Sequence, residues 1–61
     1  MKTKRILLID DEPNVTHPMK VSLEHSGAYL VHEENHASQA LETARRFQPD
    51  LIFLDVMMPE I

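Results

Sequence analysis

Apolar residues fall into three short unbroken runs, with two periodic stretches between them. The first run, Ile6-Leu7-Leu8-Ile9, has no polar interruption, as expected of a strand covered on both faces. It ends in Asp10-Asp11-Glu12-Pro13, which is turn and helix-start chemistry. Over about residues 14–26, Val15, Met19 and Leu23 share one helical stripe, predicting a helix that turns this stripe inward and stops at Gly27. Pro18 conflicts with a start at Pro13, because past the first turn it costs about 3 kcal/mol. A cap at Thr16 would bring it into the first turn, so the pattern predicts a late or distorted start.

The second run is weaker. Residues 28–31 read as a short strand, Tyr29-Leu30-Val31, fading into His32-Glu33-Glu34, and this suggests a sheet edge with Glu33 and Glu34 solvated. A second helix is expected over about residues 38–47, with Ala37, Ala40, Leu41, Ala44 and Phe47 on one face. Gln48-Pro49-Asp50 ends it. Leu51-Ile52-Phe53-Leu54 is the third strand, buried by its composition. The resulting β-α-β-α-β order is that of a parallel α/β sheet with right-handed crossovers, in one compact unit.

Composition narrows the reading. At 61 residues the chain is one small domain at most, burying only about 60% of its unfolded surface. It has no cysteines, and its four histidines lack the spacing of a structural zinc site. Ten acidic against six basic residues give a net charge of −4, which argues against nucleic-acid binding by this segment. The opening MKTKRILLIDDE imitates a signal peptide, but its apolar run is too short and ends in acids. No stretch approaches a membrane span. A soluble, cytoplasmic chain is expected.

The first and third strands both end in acid, at Asp10-Asp11 and at Asp55. Open α/β sheets bind ligands beyond the carboxyl ends of their strands, where strand order reverses. With the second strand on one side of the first and the third on the other, all three carboxylates share one crevice. Asp50 lies at the far end of the third strand, about five residues × 3.3 Å away, and cannot join them. Carboxylates this close repel one another unless a cation neutralises them. A hard divalent ion such as Mg2+ suits oxygen ligands, and beside it one carboxylate can attack a phosphoryl group. Asp55, at the end of a buried strand, is the candidate nucleophile. Helix capping explains Asp11 or Glu12 taken singly, but it explains the pair plus Asp55 less well.

These residues also carry a resemblance. "ILLIDDEP", "GAYLV", "QALETA" and "PDLIFLDVMMPEI" resemble the first half of a receiver domain from a two-component response regulator. The resemblance implies a flavodoxin-like α/β sheet whose family strand order is 2-1-3-4-5, here βαβαβ in the order 2-1-3. By the same resemblance Asp55 is the phosphoacceptor, Asp11 a direct Mg2+ ligand, Asp10 a ligand mostly through water, and the Met57 carbonyl completes the set. The partner implied is a sensor histidine kinase that supplies the phosphoryl group. Ala37 and Gln39 depart from the glycine and acid that often stand in the family, and Pro18 takes a usually apolar helix position.

The resemblance spans residues 1–61 as an N-terminal half-domain, truncated after the third strand. The family's Ser or Thr and its Lys belong to the two later strands. An apolar third strand left at the sheet edge is expected to recruit another chain, making a homo-oligomer. Two functions therefore compete: a phosphoacceptor module, and a fragment that only associates. A different aspartyl phosphotransferase would carry an acid two residues after the nucleophile, and Asp55-Val56-Met57 does not. His17 and His25 are placed on the first helix, and His32 and His36 read as solvated. Arg45 and Arg46 suit the negative end of the second helix.

Overall fold

A computed structural model describes residues 3–55. The elements run β1 (Lys4–Ile9), α1 (Pro13–His25), β2 (Tyr29–Glu34), a 3-10 turn (Ala37–Gln39), α2 (Ala40–Phe47) and β3 (Leu51–Leu54). The three strands form one parallel sheet in the order β2-β1-β3, the arrangement the sequence predicts.

β1 explains why its apolar run is unbroken. Successive strand residues point to opposite faces, and here both faces are covered. Ile6 and Leu8 pack with Val31 and with Leu23 of α1. Leu7 and Ile9 face the other way, against Ala37, Ala40, Ala44 and Phe47 on the α2 side. All four β1 residues are buried.

Several expectations need correction. α1 begins at Pro13, which takes the first helical turn, and Glu12 is its N-cap; Thr16 caps nothing, and Pro18 stands inside the helix. Of the Val15/Met19/Leu23 stripe only Leu23 reaches the core, while Val15 and Met19 are exposed and Thr16 is the buried residue. The inward face of α1 is set by the polar partners of Thr16, Glu33 and Asn35. In α2, Leu41 is 66% exposed and Thr43 is buried in its place.

β2 is longer than expected. It pairs with β1 from Lys4↔Tyr29 to Ile9↔Glu34, so Glu33 and Glu34 are strand residues. β3 is not buried: Leu51, Ile52, Phe53 and Leu54 are 41–49% exposed. Among the described residues it pairs with β1 alone, and the helices lie mainly over β1 and β2.

The turns use two left-handed residues. Gly27 at φ 80 ends α1, and Gln48 at φ 53 caps α2 with its N–H donating to the Ala44 carbonyl. Among the described residues no helix is long and apolar enough to cross a membrane.

Candidate functional site

The parallel ladder runs one residue past the strands at the carboxyl end of the sheet. Asp10 N–H donates to the Glu34 carbonyl at 3.2 Å, and Asp55 N–H donates to the Ile9 carbonyl at 2.9 Å. Asp10 and Asp55 therefore leave adjacent strands at the same level. The 2-1-3 order is what makes them neighbours, because β3 follows β1 in space with no strand between.

Asp11 joins them from the next position. One carboxylate oxygen from each of Asp10, Asp11 and Asp55 can be chosen such that all lie within 4.8 Å of one another. Asp10 and Asp55 are half-buried and Asp11 is exposed. Asp10 Oδ1 also accepts the Glu12 N–H at 3.0 Å, an Asx-type turn that fixes the start of α1. A cleft of about 420 Å³ opens beside this cluster, lined by Asp10 and Asp55 together with Thr16, Met19, Ile52 and Phe53.

Among the described residues the donor set is all carboxylate oxygen, with no nitrogen or sulfur ligand. That chemistry fits a hard divalent cation, and Mg2+ in particular, which binds through one or two carboxylates and keeps waters. Met57, the remaining residue of the expected ligand set, lies outside the described residues, as do Met58 and Pro59. Asp50 sits at the opposite end of β3, where its carboxylate accepts the Arg5 N–H at 2.8 Å.

The structure adds a polar network that the sequence pattern concealed. Asn35 Nδ2 donates to the Asp10 carbonyl at 2.8 Å and to Thr16 Oγ1 at 3.0 Å. Thr16 Oγ1 donates to Glu33 Oε1 at 2.7 Å, and His17 Nδ1 lies 3.2 Å from Glu33 Oε2. Burial alone would raise the Glu33 pKa. The bonds from Thr16 and His17, with the charges of His17 and Lys20, outweigh burial and hold the carboxyl below its ordinary range.

Glu34 has its own set of partners on the other face. Thr43 Oγ1 donates to Oε1 and the His36 N–H donates to Oε2; His36 Nδ1 lies 3.4 Å from Oε2. Burial again pushes this carboxyl up, and Thr43 and His36 together bring it below the usual value. Neither glutamate is the solvated strand end that its position suggested. His32 and His36 are exposed, as expected, although the His32 ring stands 5.3 Å from that of Phe47.

Comparison with known proteins gives a consistent picture. The response regulator receiver domain family matches residues 6–61. The chain is similar to the alkaline phosphatase synthesis transcriptional regulatory protein PhoP of Bacillus subtilis, with 41% identity over 95% of this chain and 24% of the relative. It is 42% identical to the response regulator MprA of Mycobacterium leprae, over 93% of this chain and 25% of that protein. With the response regulator Rre1 of Synechocystis it shares 36% identity, over 92% of this chain and 24% of the relative. The chain thus spans about a quarter of the length of the curated relatives it matches.

Proposed function

The chain belongs to the response regulator receiver domain family, and on that premise we propose that Asp55 accepts a phosphoryl group from a phosphohistidine of a sensor histidine kinase, in a cytoplasmic phosphorelay. The observation that carries this reading is the convergence of Asp10, Asp11 and Asp55 within 4.8 Å at the carboxyl end of the sheet.

In the proposed step an Asp55 carboxylate oxygen attacks the phosphorus. A P–O bond forms, the P–N bond breaks, and the electron pair returns to the donor imidazole. Asp10, Asp11 and Asp55 would hold Mg2+, with the Met57 carbonyl as a further ligand; the cation supplies charge neutralisation for the phosphoryl oxygens. The chain's own contribution is placement. The ladder bond from Asp55 N–H to Ile9 fixes where the nucleophile leaves β3, and the Asx turn fixes Asp10.

Intact mass after incubation with Mg2+ and a small-molecule phosphodonor tests the reading. The expected result is one added phosphoryl group on the unmutated chain and none on Asp55→Asn. Equal uptake by both, or no uptake by a folded unmutated chain, would overturn it.

A second reading, association, is favoured by β3. Its four apolar residues are 41–49% exposed, and among the described residues it pairs with β1 alone; such an edge can take up another strand. The occupant we propose is the β3 edge of a second copy. Sedimentation velocity over a concentration series reads this directly, and a monomer at all concentrations would exclude it.

A further inference from the structure

We propose that Asn35 and Thr16 are positioning residues for the acidic cluster, acting through the peptide that joins Asp10 to Asp11. The inference rests on the cation-assisted phosphoacceptor reading above and adds two residues to it.

The Asp10 carbonyl belongs to the peptide plane whose nitrogen is that of Asp11, so whatever holds this oxygen fixes ψ of Asp10 and φ of Asp11 together. Those two dihedrals aim the Asp11 side chain relative to that of Asp10. The oxygen is held by Asn35 Nδ2 at 2.8 Å. Asn35 lies just after β2, and this contact joins the two loops at the carboxyl end of the sheet across 25 residues of sequence.

Asn35 is in turn aimed by Thr16. Its Nδ2 also donates to Thr16 Oγ1 at 3.0 Å, and Thr16 is 1% exposed. The Thr16 hydroxyl spends its own proton on Glu33 Oε1, so towards Asn35 it can act only as an acceptor. That polarity selects the amide nitrogen of Asn35, not its oxygen, to face Asp10 and Thr16. The buried threonine thus sets which way the amide points, and the amide sets the Asp10–Asp11 peptide. Partners that orient metal ligands without touching the metal commonly matter nearly as much as the ligands.

The test is the Kd for Mg2+ alone, read by amide NMR shifts during a MgCl2 titration, with far-UV circular dichroism to show that each variant is folded. Asn35→Ala and Thr16→Val are expected to weaken Mg2+ binding by about 10- to 100-fold. Thr16→Ser keeps the hydroxyl and should restore binding to within about twofold of the unmutated chain. A network that serves packing alone would lower stability in these variants without moving the Kd. Unchanged Kd values in folded Asn35→Ala and Thr16→Val chains would overturn the inference and leave the cation site standing. Absence of any Mg2+ response in the unmutated chain would overturn the site itself, and the inference with it. If Asn35→Ala does not fold, the contrast between Thr16→Val and Thr16→Ser decides.

Discussion

Arg5 and Asp50 bond each other in both directions: the Arg5 N–H donates to Asp50 Oδ2 at 2.8 Å, and the Asp50 N–H donates to the Arg5 carbonyl at 2.7 Å. The Arg5 side chain continues the join. Its Nε donates to the Phe47 carbonyl at 2.8 Å, and its guanidinium carbon stands 4.4 Å from the centre of the Phe47 ring. One residue near the start of β1 therefore fastens the end of α2 and the start of β3. The clamp sits at the amino end of the sheet, opposite the acidic cluster.

Arg5→Ala should accordingly cost stability and spare the site. Loss of one charged hydrogen bond and one partly exposed cation–π contact amounts to about 2 kcal/mol. Arg5→Lys keeps the charge and loses the Nε geometry, so it should fall between the two. Urea midpoints order the three chains, and phosphoryl uptake measured well below the midpoint should be unchanged in all of them. A stability loss in Arg5→Lys equal to that in Arg5→Ala would show that charge over Phe47 contributes nothing.

Pro18 is exposed inside α1, where it lacks the N–H that would bond the Asn14 carbonyl. Pro18→Ala restores that donor and should gain up to about 3 kcal/mol. The substitution also frees the unfolded chain, which returns about 1 kcal/mol. A net gain near 2 kcal/mol in urea is expected, with no packing to lose at an exposed position.

The sheet order and the meeting of Asp10, Asp11 and Asp55 were legible because their signals are local. Four consecutive apolar residues define β1, and acids follow both β1 and its neighbour β3, at Asp10-Asp11 and at Asp55. The inward face of α1 was hidden for the opposite reason. Val15 and Met19 look like core residues, yet Thr16 is buried because Glu33 and Asn35 come to meet it from 17 and 19 residues away. No spacing rule along one helix encodes a partner on another strand. Glu34 misled in the same way, since its acceptor role is created by Thr43 on a different element. For β3 the composition described a strand with two neighbours, and the described residues provide one.

Glu33 and Glu34 make the fold acid-sensitive. Both carboxyls are held below their ordinary value in the folded chain by hydroxyl, histidine and N–H partners that outweigh burial. A depressed folded pKa stabilises above the unfolded value, about 4.3 for glutamate, and that contribution is lost as pH falls through the folded value. Urea midpoints should be level near neutrality and drop below about pH 4.3. Glu34→Gln should be less stable than the unmutated chain near neutrality, and the difference should shrink as acid protonates Glu34 itself. A difference constant from pH 3 to pH 7 would mean that the Glu34 charge contributes nothing.

Asp11→Asn should change the sign of its effect with Mg2+. Asp11 is exposed and its carboxylate faces two others within 4.8 Å, so without a cation the like charges repel. Removing one charge under chelator should stabilise the chain by about 0.5 kcal/mol, given the screening at an exposed site. With Mg2+ the balance reverses. A ligand at ten times its Kd adds about 1.4 kcal/mol to the form that binds it, and the substituted chain loses a carboxylate from the set that would bind. The unmutated chain should therefore unfold earlier than Asp11→Asn in chelator and later than it in Mg2+. The crossing is informative because no purely structural role of Asp11 produces it: a lost cap or turn contact would shift both midpoints the same way. Parallel shifts with and without Mg2+ would remove Asp11 from the proposed cation site.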